Sequence, residues 1–188
     1  MSIMVSVNCI TYNHEAYIAK AIESFLMQET NFDFEIVIGE DCSTDSTVDI
    51  VKDFKKRYPD KIKVISSHKN VGMMQNSRRV FDNSIGKYIA VCEGDDFWID
   101  KHKLQKQVEF MESHPECSMC FHAAEFISMK DDDTSGKLIR PFYENTIISS
   151  DIFFLPGGEV CPSASILYRS QLARNMPQWY YESPVGDI

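Results

Sequence analysis

Apolar runs alternate with stretches of helical periodicity along this chain. Residues 4–10, MVSVNCI, form a β-rich apolar run, and Ile18, Ile22, Phe25 and Leu26 then recur at helical spacing. That spacing predicts an amphipathic helix over about 14–28. Residues 34–39, FEIVIG, read as a second strand. Val51, Phe54 and Tyr58 mark a second helix, with cap-forming Ser43, Asp45 and Ser46 before it and Pro59 at its end. Residues 61–66, KIKVIS, read as a third strand, followed by a helix over about 73–84. KYIAVC, residues 87–92 after Gly86, reads as a fourth strand. Leu104, Val108 and Met111 place a helix at about 101–113, closed by His114-Pro115. Residues 117–127, CSMCFHAAEFI, read as a fifth strand.

This β-α alternation predicts an α/β fold: a mostly parallel central sheet with helices on both faces. The strands are nearly continuous apolar runs, as burial on both faces requires. The remainder is less regular. KDDDTSGK (130–137) reads as a solvated loop or hairpin tip, FLPGGEVCPSAS (154–165) as loop, and SILYRSQLARN (165–175) as a short strand running into a short helix. No repeat, low-complexity tract or linker interrupts the chain, and 188 residues suffice for one domain with a real core. The final Val185-Gly186-Asp187-Ile188 does not read as a domain end, so the domain is expected to continue.

Charge and composition narrow the functions. A net charge of −9 argues against nucleic acid, whose phosphates call for clustered Lys and Arg. No apolar run approaches the roughly 18 residues of a membrane helix. The N-terminal apolar run has no basic leader, so it reads as a strand rather than a signal peptide. Most of the six cysteines sit in apolar strand-like runs, which predicts reduced, buried thiols and a cytoplasmic location. Cys117-x-x-Cys120 with His122 lacks the second paired motif of a structural zinc site. The five histidines show no ligand spacing, and no role is assigned to them.

Ligands of open α/β sheets sit at the carboxyl ends of the strands. Those ends carry Thr11-Tyr12-Asn13, then Glu40-Asp41-Cys42-Ser43, then Glu93-Gly94-Asp95-Asp96. Tyr12 follows its strand, which favours a site aromatic over a core one. Asp41 to Asp45 can cap a helix. They do not make a calcium loop, because Ser46 and Lys52 stand where that loop needs Gly and Glu. Three carboxylates within four residues repel one another, and the bulky Phe97 and Trp98 that follow do not suit an idle turn. A hard divalent cation, Mg²⁺ or Mn²⁺, held by carboxylates and substrate phosphates answers that pattern.

VSVNCITYNHEAYIAKAIESFLMQ, FEIVIGEDCSTDST and NVGMMQNSRRVFDNSIGKYIAVCEGDDFW, in this order, resemble glycosyltransferase family 2. The resemblance covers about residues 4–113 and continues more weakly beyond. It implies the GT-A fold, a Rossmann-like sheet that binds a nucleotide-sugar, with 1–113 as the nucleotide-sugar half and 114–188 as the acceptor side. Thr11, Tyr12, Asn13 and Glu15 match the first-strand donor motif, with Tyr12 stacking on the base. Asp41 matches the acidic residue that reads the base edge. Glu40 stands where the family usually has Asp, and Cys42 where it commonly has Gly. Asp95 is implied at the ribose and Asp96 at the metal, with Glu93 at the first position of the Asp-x-Asp motif; any of the three can meet the metal directly.

The implied reaction is inverting, metal-dependent transfer from a nucleoside-diphosphate sugar, UDP favoured, to a glycan or lipid-linked acceptor, in cell-surface polysaccharide synthesis. Asp187, in the matching Gly-Asp motif, is the implied general base, with Glu182 a weaker candidate. The acceptor loop matches about Gly157–Ser165. Peripheral membrane contact at the inner face would come through residues beyond this sequence. The alternatives are a non-catalytic nucleotide-sugar-binding module and a glycoside hydrolase; the latter lacks a flanking carboxylate pair outside the metal motif.

Overall fold

The computed structural model describes residues 2–127, 136–140, 142–149, 161–174 and 176. In chain order these form β1 (Val5–Thr11), α1 (Ile18–Leu26), β2 (Phe34–Glu40), α2 (Thr47–Arg57), β3 (Ile62–Ser66), α3 (Met73–Asp82), β4 (Tyr88–Val91), α4 (Lys103–Ser113), β5 (Met119–Cys120), β6 (Ala124–Phe126), β7 (Lys137–Ile139) and β8 (Leu167–Arg169). A helical turn, Ser170–Ala173, follows β8. The main sheet has the order β3-β2-β1-β4-β8-β5. Strands β1 to β4 are mutually parallel, and β8 runs antiparallel to both neighbours.

The two faces of the sheet are covered differently. Val5, Val7 and Cys9 of β1, Ile36 and Ile38 of β2, and Tyr88 and Ala90 of β4 share a face, by register. All lie in one buried cluster with Ile18, Ala21, Ile22 and Phe25 of α1, Val51 and Phe54 of α2, and Leu104, Val108 and Met111 of α4. Each fully buried Ile, Leu or Phe contributes about 1.5–3 kcal/mol. The opposite face carries α3 and mixes buried Val37 and Ile89 with the small or polar Ser6, Asn8 and Gly39. Asn76 of α3 donates from Nδ2 to the Gly39 carbonyl (2.8 Å). A β-carbon at Gly39 would lie 2.5 Å from Asn76 Oδ1, so α3 can approach only a glycine.

Two sequence expectations are corrected. The single strand expected over 117–127 is two: β5 joins the main sheet beside β8, while β6 pairs with β7 in a separate two-stranded sheet. The first helix begins at Ile18 rather than near residue 14, because the His14 carbonyl accepts from both Tyr17 N and Ile18 N in a preceding turn. Among the described residues no helix is long and apolar enough to cross a membrane.

Candidate active site

The carboxyl ends of β1, β2 and β4 lie side by side. Thr11 pairs with Glu40 in the parallel register, and Gly94 N donates to the Ile10 carbonyl (2.9 Å) just past β4. Loops of 11–17 and 40–47 are laced together by their side chains. Asn13 Oδ1 accepts from Thr44 N (2.8 Å), Ser43 Oγ from Asn13 N (3.0 Å), and Glu15 Oε2 from Ser46 N (2.9 Å). Asp45 accepts from Thr47 N (2.9 Å) and from Glu15 N (3.1 Å). Asn13 and Glu15 thus stand at the expected edge, where they hold one loop against the other. Tyr12 is 41% exposed at the tip of β1, so it is no core aromatic.

Both acids after β2 are buried, Glu40 at 3% and Asp41 at 2% exposure. Glu40 curls round its own turn, accepting from Cys42 N (3.2 Å) and Ser43 N (2.7 Å). The turn it caps holds Cys42 at φ 63°, a conformation costly for a side chain with a β-carbon. Asp41 faces the other way. Its oxygens accept from Val71 N and Gly72 N, each at 2.9 Å, and Arg79 Nη1 lies 3.9 Å away. Asp41 therefore anchors the loop before α3 to the same edge. The sequence reading gave that loop and Arg79 no place in the site.

After β4 the chain turns through Asp96 N to the Glu93 carbonyl (3.2 Å). Burial, together with the neighbouring Asp95 carboxylate, pushes Asp96 above the usual carboxylate range; His14 offsets part of this. His14 Nε2 lies 3.9 Å from Asp95 Oδ2. Among the described residues no three His, Cys, Asp or Glu side chains converge as a ready-made metal cluster, so Glu93 is not gathered with Asp95 and Asp96 into one ligand set. Two adjacent carboxylates, one half-buried and resisting ionisation, do fit a hard divalent cation that completes its shell with phosphate oxygens and water. The loop is fixed from behind by Trp98, whose backbone N donates to Ser24 Oγ (3.1 Å) and whose Nε1 donates to the Ala164 carbonyl (2.8 Å).

Asp187, Glu182 and the first residues of the expected acceptor loop, 157–160, lie outside the described residues. His14, assigned no role from sequence, stands beside the acidic loop. The one signal for it is position, three residues past a strand end, since its partner lies 81 residues away.

The family model for Glycosyl transferase family 2 matches residues 6–172. The chain belongs to glycosyltransferase family 2. It is 41% identical over 123 residues to the uncharacterized protein Mb1547 of Mycobacterium bovis, covering 65% of this chain and 36% of that one. It is 36% identical over 118 residues to the uncharacterized glycosyltransferase alr2836 of Nostoc, covering 63% and 36%. Among solved structures, Staphylococcus aureus TarS 1-349 in complex with UDP-GlcNAc superposes with a TM-score of 0.67 at 25% identity, over 92% of this chain and 47% of that one. The family 2 chain thus spans less than half the length of these relatives. Its sheet and helices have the GT-A architecture, and as a family member it is classed as a glycosyltransferase.

Proposed function

We propose that this domain binds a nucleoside-diphosphate sugar, UDP-linked in first preference, and transfers the sugar with inversion to a glycan or lipid-linked acceptor in cell-surface polysaccharide synthesis. The observation that carries this reading is the juxtaposition of the Tyr12, Asp41 and Asp95-Asp96 loops at one sheet edge, with Asp96 kept from easy ionisation by burial beside Asp95. The likeness to a TarS structure holding UDP-GlcNAc supports the choice of nucleotide.

Tyr12 stacks on the base, and Asp41 has lone pairs left for the base edge beyond those used by Val71 and Gly72. Asp95 and Asp96 hold the cation, Mn²⁺ or Mg²⁺, and Asp95 also faces the ribose. When bound, that cation supplies Lewis-acid neutralisation of the leaving diphosphate. The acceptor oxygen attacks the anomeric carbon as the bond to the diphosphate oxygen breaks, and Asp187 takes the acceptor proton. Six free thiols favour a cytoplasmic location.

Calorimetry with UDP and GDP, with and without Mn²⁺, tests the reading. Mn²⁺-dependent binding that Asp96→Ala abolishes is the expected result. Folded protein that binds neither nucleotide overturns the reading, and unchanged metal dependence in Asp96→Ala overturns the cation assignment. In the full-length protein, Asp187→Ala is expected to bind donor and to stop transfer.

A further inference from the structure

Among the described residues, two buried side-chain polar atoms have no hydrogen-bond partner: Thr11 Oγ1 and His14 Nδ1. They crowd one point. A β-carbon built on Gly94 would lie 2.7 Å from Thr11 Oγ1 and 2.9 Å from His14 Nδ1. Thr11 is 2% exposed, and its hydroxyl lies against Gly94 of the acidic loop. Buried polar groups in native folds are nearly always paired, and two orphans at one point call for a physical reason.

The surroundings are fixed. His14 N donates to Thr47 Oγ1 (2.8 Å), and the Thr11 carbonyl accepts from Asp41 N (3.1 Å). The other ring nitrogen, His14 Nε2, faces Asp95 Oδ2 at 3.9 Å, too far for a hydrogen bond and close enough to become one after a small movement. A neutral imidazole has one donor and one acceptor nitrogen, and a threonine hydroxyl can donate to the acceptor.

We propose that Thr11 and His14 are positioning residues for Asp95: as donor and cation draw the Asp95 carboxylate in, the ring shifts with it, the Thr11 hydroxyl, unpaired before that shift, donates to Nδ1, and the ring proton is left on Nε2 to donate to Asp95. Gly94 is required because any β-carbon would fill the gap that lets hydroxyl and ring meet. The inference rests on the nucleotide-sugar reading. It gives Thr11 a task reached through the ring rather than through the base.

Thr11→Val exchanges the hydroxyl for a methyl of nearly the same shape, so the packing and positioning accounts predict different results. Were the hydroxyl only packing, removing an unpaired buried group would leave the melting temperature equal or higher and UDP–Mg²⁺ binding unchanged. The relay predicts an unchanged or higher melting temperature together with UDP–Mg²⁺ affinity weakened on the order of tenfold, as for removal of an outer-shell partner. His14→Ala should weaken binding as much, and the double variant should be no worse than His14→Ala alone. Unchanged affinity in Thr11→Val with normal wild-type binding overturns the relay and leaves the nucleotide reading standing. Wild-type protein that binds no nucleotide overturns both. Independently of any variant, ¹⁵N NMR of the UDP–Mg²⁺ complex at neutral pH should show His14 as the Nε2-protonated tautomer; an Nδ1-protonated ring overturns the relay.

Discussion

Strands β1 and β2 run for seven residues each, and β5 and β8 for two and three. The long strands are held by a continuous apolar cluster shared with three helices. The short ones reach that cluster through Leu167 of β8 and Cys120 of β5, and lean in addition on polar pins. Arg169 of β8 donates from Nε to the Cys117 carbonyl (2.9 Å), from Nη1 to Tyr88 Oη (3.0 Å), and from Nη2 to the carbonyls of Met111 (2.8 Å) and His114 (3.2 Å). One guanidinium thus ties β8 to the end of α4 and the start of β5, where a helix leaves its last carbonyls unpaired. A cavity of about 1030 Å³ opens beside it, lined by residues such as Phe110, Cys120, Leu138, Tyr143 and Ile147. The β1–β4 side is therefore a distributed core, and the β8–β5 side a thinner layer fastened at a few points. A rigid scaffold beneath the carboxyl ends of β1, β2 and β4 fits the demand of the proposed donor site for fixed loop geometry.

Phe25→Ala should show the largest effect, because Phe25 is fully buried and packs tilted against Trp98, 4.9 Å between ring centroids. The expected loss is about 3–5 kcal/mol by urea unfolding. Arg169→Met should cost about 2–3 kcal/mol by leaving several carbonyls unpaired. Its signature in hydrogen exchange should be local: peptides over 117–120 and 161–174 lose protection while those over 5–40 keep it. Equal loss in both regions would break the contrast between the two sides.

Lys103 sharpens the contrast at their junction. Its ammonium is buried, lies 4.0 Å from the Trp98 ring centroid, and donates to Gln107 Oε1 (2.8 Å), while Gln107 Nε2 donates to the Ser165 carbonyl (2.8 Å). Burial pushes Lys103 down to about 7 from 10.5. Between those values the unfolded chain binds more protons than the folded one, so this residue makes stability rise with pH from about 7 to about 10.5. Below pH 7 the full penalty of a buried charge applies. Lys103→Met should gain on wild type by a few kcal/mol more at pH 6 than at pH 10, measured by melts across that range. A pH-independent difference would show that the amine titrates as it does in water. The smallest effect belongs to Cys42→Gly, which should stabilise by about 1 kcal/mol by relieving the positive φ.

Much of the fold over β1 to β4 was legible because its signals are local. Apolar periodicity located β1 to β4 and their helices to within a few residues, and each strand end carried its chemistry in adjacent positions. The 117–127 run was misread because an apolar stretch does not reveal where it changes sheet. Only pairing with β8, some fifty residues later, separates β5 from β6. In the site, the sequence identified the acids but not their partners. Glu40 and Asp41 are neighbours in the chain, yet one caps its own turn and the other holds the loop before α3.

By itself, then, the sequence determined the α/β alternation, the family and the identity of the acidic loops, because helix period, strand composition and turn residues act over a few positions. The tertiary structure decided the insertion of β8 between β4 and β5, the pinning role of Arg169, the burial of Lys103 and the approach of His14 to Asp95. Each depends on groups tens of residues apart, whose meeting is set by how the sheet is ordered and which face each helix covers, and no local pattern records that choice.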